Sequence, residues 1–397
     1  MNNNIEILKK VADTLRQRVF GNEEFISALL SAYYKRLQGV PTHLLGYGPP
    51  GIGKTWTSKN FAQIASELNG GNVVYARIQG RPDLMPEEII ADRVVQYDDS
   101  GKPGFGYQLG SIEVLQAEKN PLPAILHVDE LDKISARSMY ALLEIMEEQQ
   151  ATLPSGETVA LNFVMVATAN TRKYDATANP IPKPVQDRFR AGVVHLHYGT
   201  AEQDRQMLNW HINSWLMSAG AEDKLLQGLV TVVKLTQQKV SGYSDFTRYI
   251  KVPAGPRAIL DLYSEAATKS ILDDRSVITP QDVISIGVRI LRGRVEVTPD
   301  AEVNGKTADT VIAEILYEVF GNMPASGSGG GTGNQSQQEQ SEEQSDDSDA
   351  GNGEKDEPKN NNGSNSADST DETDKQNFLA GVRKEMSRND SGEQGPQ

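Results

Sequence analysis

Eight consecutive residues, Gly48-Pro49-Pro50-Gly51-Ile52-Gly53-Lys54-Thr55, fit the pattern G-x-x-x-x-G-K-[ST] in full. The glycines let the backbone curl so that successive N–H groups point inward at a phosphate. Lys54 supplies a point charge for the β- and γ-phosphates, and the Thr55 hydroxyl is a ligand for Mg²⁺. Trp56, the next residue, is counted with the loop as part of the binding segment. Further along, Asp129-Glu130 is an acidic pair: Asp129 would hold Mg²⁺ through water or Thr55, and Glu130 would polarise an attacking water. Asp and Glu also favour helix starts, so an ordinary helix N-terminus is the alternative for this pair. Asn170 could orient the same water and touch the γ-phosphate. These residue types in this order point to binding and hydrolysis of a nucleoside triphosphate with Mg²⁺.

The elements that must position these groups are readable around them. Thr42-His43-Leu44-Leu45-Gly46 is a short apolar run after Pro41 and predicts a buried strand. Phe61, Ile64, Ala65 and Leu68 follow the loop at i, i+3, i+4 and i+7, one face of a helix. Strand, glycine loop and helix together put a helix N-terminus at the phosphate. Ala124–Val128 is a second buried strand ending in the acidic pair, where open α/β sheets place their chemistry. Met139, Leu142, Leu143 and Met146 then form an apolar helix face. Phe163–Thr168 is a third such strand, with Asn170 at its tip, and further strands are expected at Val73–Ile78 and Val193–His197. Residues 151–159 alternate around Pro154-Ser155-Gly156-Glu157 and predict a β-hairpin. Strands alternating with helices indicate a mostly parallel sheet between helices, residues 1–200. Residues 201–325 read as an all-helical lid, with Thr200 capping a helix that carries Met207, Trp210 and Leu216, and with Val311, Ile312, Ile315, Leu316 and Val319 on one last face. Gly242–Val252 reads as a long polar loop.

Composition changes near residue 325. Residues 326–397 are Gly, Ser, Asn, Gln, Asp and Glu with almost nothing apolar, and sixteen acidic against six basic side chains place −10 of the total −15 there. Such a segment cannot bury enough apolar surface to offset its ordering entropy and is expected to be a disordered acidic tail. One island, Gln376–Arg388, sets Phe378, Leu379, Val382 and Met386 near helical spacing, and would suit a short partner-binding helix. With no cysteine there is neither a disulfide nor a thiolate zinc site. His195 and His197 share one face of a strand but lack a third ligand nearby in sequence, so a metal reading is set aside. Met1-Asn2-Asn3-Asn4-Ile5 lacks the basic start and apolar core of a signal peptide, and no run approaches the roughly 18 apolar residues that span a bilayer. A soluble, cytoplasmic protein is expected. The acidic balance argues against wrapping nucleic acid.

The order of loop, Asp-Glu, Asn-tipped strand and Gln186-Asp187-Arg188-Phe189 resembles the AAA+ ATPases, and the detailed segments resemble their MoxR branch. Arg77-Ile78-Gln79-Gly80-Arg81-Pro82-Asp83-Leu84-Met85-Pro86-Glu87-Glu88-Ile89 is similar to the branch's R-x-Q-x-x-P-D-L-x-P-x-D-I segment. Tyr97–Gly101 and Gly106–Ile112 fall where that branch inserts into its second helix, and Ser138–Glu148, Gly255-Pro256-Arg257-Ala258 and Thr279–Val283 match later segments. The resemblance spans residues 17 to 322. It departs at Ala169-Asn170-Thr171 and Ala178–Pro182, which puts the subfamily and client in question.

The resemblance implies that Arg188 is an arginine finger reaching a neighbouring subunit's γ-phosphate. Arg190 is a rival, and an Arg188 that caps a helix and pairs with Asp187 is the alternative. Arg257 would fork onto phosphate oxygens while reporting lid position, and Val19 and Phe20 would touch adenine, though core residues would look the same. It also implies a hexameric homo-oligomer, a partner with a von Willebrand factor A domain, and a client protein complex, with the insert hairpin (79–112) and the second hairpin (151–160) facing the pore or client. The leading expectation is a chaperone-like remodeller. A nucleic-acid motor and a slow-turnover interaction switch are the other classes.

Overall fold

The computed structural model describes residues 2–97, 102–171, 177–214 and 219–323. The acidic tail, the Gln376–Arg388 island, Asp98–Gly101 and Leu216 lie outside the described residues. In chain order the strands are β1 (Leu44–Tyr47), β2 (Tyr75–Gln79), β3 (Ala91–Tyr97), β4 (Pro103–Leu109), β5 (Ala124–Asp129), β6 (Gln150–Thr152), β7 (Thr158–Ala160), β8 (Phe163–Ala169), β9 (Val193–His195), β10 (Ile250–Val252) and β11 (Glu296–Val297).

Five of them form one parallel sheet in the order β2-β5-β8-β1-β9. β8 is buried at all seven positions, as a central strand covered on both faces must be. Alternation along the central strands divides the core into two layers. Leu126, Val128, Met165 and Ala167 face Met139, Leu142 and Met146 of the helix Ala136–Glu148. Ile125, Val164 and Val166 face the other way, onto Phe61 and Ile64 of the helix Lys54–Asn69 and Leu29 of the helix Glu23–Leu37. Leu68, expected on that buried stripe, is 37% exposed in the helix's last turn.

Two antiparallel hairpins stand off the sheet. β6–β7 is the hairpin expected around Ser155-Gly156. β3–β4 pairs over seven residues in the insert and exposes Val95 and Phe105, with the Arg93 guanidinium 3.9 Å over the Phe105 ring.

A third apolar cluster joins the helices Ala201–Ser214, Asp223–Gln237, Arg257–Leu272, Pro280–Leu291 and Ala308–Phe320. Thr200 Oγ1 accepts the Gln203 N–H, and Thr279 with Asp282 forms a reciprocal capping box, which fixes where two of these helices start. This helical part is not purely helical. Gly242–Val252, expected as a loop, ends in a 3₁₀ turn (Thr247–Tyr249) and β10, which pairs antiparallel with β11. Strands of two and three residues carry no alternation to read, so only the fold brings them together. Among the described residues no helix is long and apolar enough to cross a membrane.

Candidate active site

The cleft lies at the carboxyl ends of β1, β5 and β8, where the loop after β1 turns into the helix Lys54–Asn69. Gly51 and Gly53 sit at φ 76° and 86°, a region that side chains rarely adopt, so the loop's curl depends on them. A cavity of about 290 Å³ opens there, lined by Lys54, Thr55, Asp129, Glu130, Asn170 and Arg257 among others. Lys54 is buried, its Nζ donating to Gly48 O at 2.7 Å, to Pro49 O at 3.4 Å and to Asn170 Oδ1 at 3.1 Å. Burial lowers its pKa to about 8, against the raising influence of Asp129, Asp132 and Glu130.

Asp129 is held from three sides. Thr55 Oγ1 donates to its Oδ2 at 3.0 Å, Arg77 Nη2 to the same oxygen at 2.7 Å, and Thr168 Oγ1 to Oδ1 at 2.8 Å. Burial opposes its charge most strongly, but the His127 ring 3.8 Å away, Thr168 and Arg77 outweigh it and hold Asp129 well below the usual carboxylate range. The Thr55 hydroxyl and the Asp129 carboxylate are oxygen donors of the kind Mg²⁺ takes, side by side on the cavity wall beside the buried Lys54. The residues fit a metal–triphosphate ligand.

Glu130 sits in the left-handed region, φ 54° and ψ 48°, which is uncommon for a residue with a long side chain. The tip of β2 holds it there. Gly80 N–H donates to Asp129 O at 2.7 Å, and a Cβ on Gly80 would lie 2.1 Å from Glu130 O. Gln79 Nε2 donates to Glu130 Oε2 at 3.0 Å. Asn170 is anchored by its backbone N–H to Asp132 Oδ1 at 2.9 Å, and Asp132 is fully buried.

A second cavity, about 200 Å³, lies on the other side of Gly51-Ile52-Gly53 and is lined by Val19, Phe20, Trp56, Met207, His211 and Leu260 among others. Its lining is mainly apolar, and Arg257 and Trp56 border both cavities. Trp56 Nε1 donates to Arg18 O at 3.2 Å, and its ring lies edge-on to Trp210 at 5.9 Å. His197 borders this cavity and its backbone N–H donates to Asn22 Oδ1, while His195 stacks on Tyr47.

Arg188 lies elsewhere. Its guanidinium pairs with Glu147 at the end of the helix Ala136–Glu148, and Arg190 Nη2 reaches the same glutamate at 3.0 Å. It does not pair with Asp187, which instead meets Lys183 at 3.3 Å. Sequence reasoning did not count Arg77, Gln79 or Thr168 among the site residues. All three are polar residues at or near strand tips, a signal present in the sequence but usable only with the strand order known.

A parallel sheet with a glycine loop after β1, an acidic pair at the end of β5 one strand away across β8, and a helical lid bordering the same cleft defines a nucleotide-binding module of the AAA+ class. The profile described as "ATPase family associated with various cellular activities (AAA)" matches residues 43–191. The chain is similar to Chaperone MoxR1 of Mycobacterium tuberculosis (strain ATCC 25618 / H37Rv), 25% identical over 337 residues that cover 79% of this chain and 82% of that protein. It is similar at 24% identity to uncharacterized protein YeaC of Bacillus subtilis (strain 168), covering 79% of this chain and 94% of that protein. ClpE of Lactococcus lactis subsp. lactis (strain IL1403), an ATP-dependent Clp protease ATP-binding subunit, is 28% identical over 43% of this chain, which spans 23% of ClpE. Residues 43–191 thus match the AAA+ ATPase profile, and over most of its length the chain is similar to MoxR-type AAA+ proteins.

Proposed function

We propose that this protein hydrolyses ATP with Mg²⁺ as a ring of identical subunits and spends the cycle on remodelling or activating a protein complex. The observation that carries the reading is the convergence of Lys54, Thr55, Asp129, Glu130, Asn170 and Arg257 on one cavity. Lys54 and the loop N–H groups would cradle the phosphates, and Thr55 and Asp129 would hold the metal, which when bound neutralises phosphate charge. Glu130 accepts a proton from water as the water oxygen attacks the γ-phosphorus, and the bond to the bridging oxygen breaks with its electron pair leaving on ADP. Asn170 orients that water. Arg257, at the start of the helix Arg257–Leu272, links phosphate occupancy to lid position.

Arg188, paired with Glu147 and apart from its own cleft, is read as acting on the next subunit, which makes the ring part of the chemistry. A hexamer working in the cytoplasm is the assembly proposed, with a von Willebrand factor A domain protein as partner. The exposed β3–β4 ribbon and the β6–β7 hairpin are the surfaces offered to the client. Phosphate release by the purified chain, with ring size from native mass spectrometry, tests the reading. No turnover by an assembled ring with MgATP would overturn it.

A further inference from the structure

Arg77 belongs to β2, and its guanidinium meets the one carboxylate oxygen that the metal reading also needs. Asp129 Oδ2 accepts from Arg77 Nη2 at 2.7 Å and from Thr55 Oγ1 at 3.0 Å, while Oδ1 is taken by Thr168. Arg77 Nη2 also lies 2.5 Å from Gln79 Oε1, and Gln79 Nε2 donates to Glu130. The side chain is about half exposed and borders the phosphate-sized cavity, so it can leave Asp129 without unpacking any core. The sheet does not need it either, since β2 and β5 are joined by their own backbone ladder from Tyr75↔Ile125 to Gln79↔Asp129.

We propose that Arg77 is a cationic placeholder for the metal at Asp129, and that it sets how strongly nucleotide binding depends on Mg²⁺. The inference rests on the reading of this cleft as a Mg²⁺–nucleotide site. Two cations compete for Oδ2. Without the metal, Arg77 neutralises Asp129 and keeps that carboxylate from repelling a bare polyphosphate. With the metal, Arg77 must yield the oxygen, and Mg²⁺ recovers less from Asp129 than it would from a free carboxylate. Arg77 therefore helps metal-free nucleotide and taxes metal-bound nucleotide. A guanidinium that only added positive charge to the cleft would help both alike.

The test is the affinity of a fluorescent ADP analogue in excess EDTA and in excess Mg²⁺, for the wild type, Arg77→Gln and Arg77→Lys. The ratio of the two dissociation constants reads metal coupling without any need for turnover. In Arg77→Gln the ratio should rise about tenfold or more, by weaker binding in EDTA and equal or tighter binding in Mg²⁺. Arg77→Lys keeps a charge but loses the planar fork, and should fall between the two. Melting temperatures report folding, and if Arg77→Gln does not fold, an unchanged ratio in a folded Arg77→Lys overturns the proposal. Equal losses in EDTA and Mg²⁺, leaving the ratio within about twofold of wild type, overturn it too. Failure of the wild type to bind nucleotide in either condition would instead remove the reading of the cleft itself.

Discussion

Two clusters of charge face different ways in this molecule. In the cleft, Lys54, Asp129, Glu130, Asn170 and Arg257 come from separate segments and border one cavity. At the far end of the helix Ala136–Glu148, Arg188 and Arg190 both end on Glu147, about a third exposed, and neither borders that cavity. The cleft is assembled by the fold of one chain: three parallel strand tips and a lid helix meet whatever the neighbours do. The arginine corner is closed on its own glutamate, and the role proposed for Arg188 requires a neighbouring subunit to reach it. A motif says what charge a residue can offer, and its position in the fold limits what that charge can reach.

The largest effect expected is at Lys54. Lys54→Ala removes the ammonium closest to the loop carbonyls and should lower affinity for a fluorescent ATP analogue by about a hundredfold or more. Retained micromolar binding would mean that the cleft is not the nucleotide site. Next comes the contrast between the clusters. Glu130→Gln should keep binding while losing roughly 10²–10⁴ in turnover, and Arg188→Ala should lose about 10³ in turnover with binding nearly intact. Mixed rings decide the geometry. An interface with Glu130 from one subunit and Arg188 from the other should regain activity, and no recovery in rings shown to be mixed would place Arg188 outside the chemistry.

A smaller effect concerns a buried group behind the arginine corner. His43, fully buried at the foot of β1, accepts the Met165 N–H on Nδ1 at 2.9 Å, which leaves Nε2 to donate to Met146 O at 2.9 Å, next to Glu147. Burial lowers its pKa to about 4. A second proton would have to sit on Nδ1, facing the Met165 N–H. Because the folded value lies below the unfolded one, stability is whole above about pH 6.5 and is lost as pH falls toward 4, by about 3 kcal/mol for this group. Urea unfolding of wild type and His43→Gln across that range should show the variant losing less. Parallel curves would remove His43 from the acid response.

Much of the cleft was legible because its groups lie in contiguous motifs whose chemistry is local. The glycine loop, the acidic pair and the strand under Asn170 can each be read without knowing what lies beside them. Arg77 and Gln79 lie within a segment that carries the family resemblance, yet nothing in the sequence placed them in the site. They reach Asp129 and Glu130 only because β2 lies beside β5, and the order β2-β5-β8-β1-β9 is not the order of the chain. Thr168 needed the same knowledge, one register position beyond Val128↔Ala167. The caps at Thr200 and Thr279 were local and readable. The β10–β11 pair was not, because its two short strands lie far apart in the sequence. Leu68 shows the converse: helical spacing finds a stripe but not which of its residues the fold covers.

The smallest expected effect tests whether the cleft and the lid share more than Arg257. Trp56 stands directly after Thr55, and its ring meets Trp210 edge-on and lies 5.7 Å from His211, both on the helix Ala201–Ser214. Trp210 and His211 also meet edge-on at 4.9 Å, so the three rings form one cluster across the seam. Edge-to-face pairs contribute about 0.5–1.5 kcal/mol beyond area. Trp56→Phe keeps most of that area but removes the Nε1 donor to Arg18 O. Since Trp56 is 39% exposed, water can replace that partner, and nucleotide affinity should fall by less than about tenfold. Trp56→Ala removes the ring contacts as well and should cost more, for ATP and ADP alike, because Trp56 and His211 line the mainly apolar second cavity, which suits a base rather than a phosphate. A loss confined to ATP would instead tie Trp56 to the phosphate end. No loss in either variant would leave Arg257 as the lid's principal link to the nucleotide.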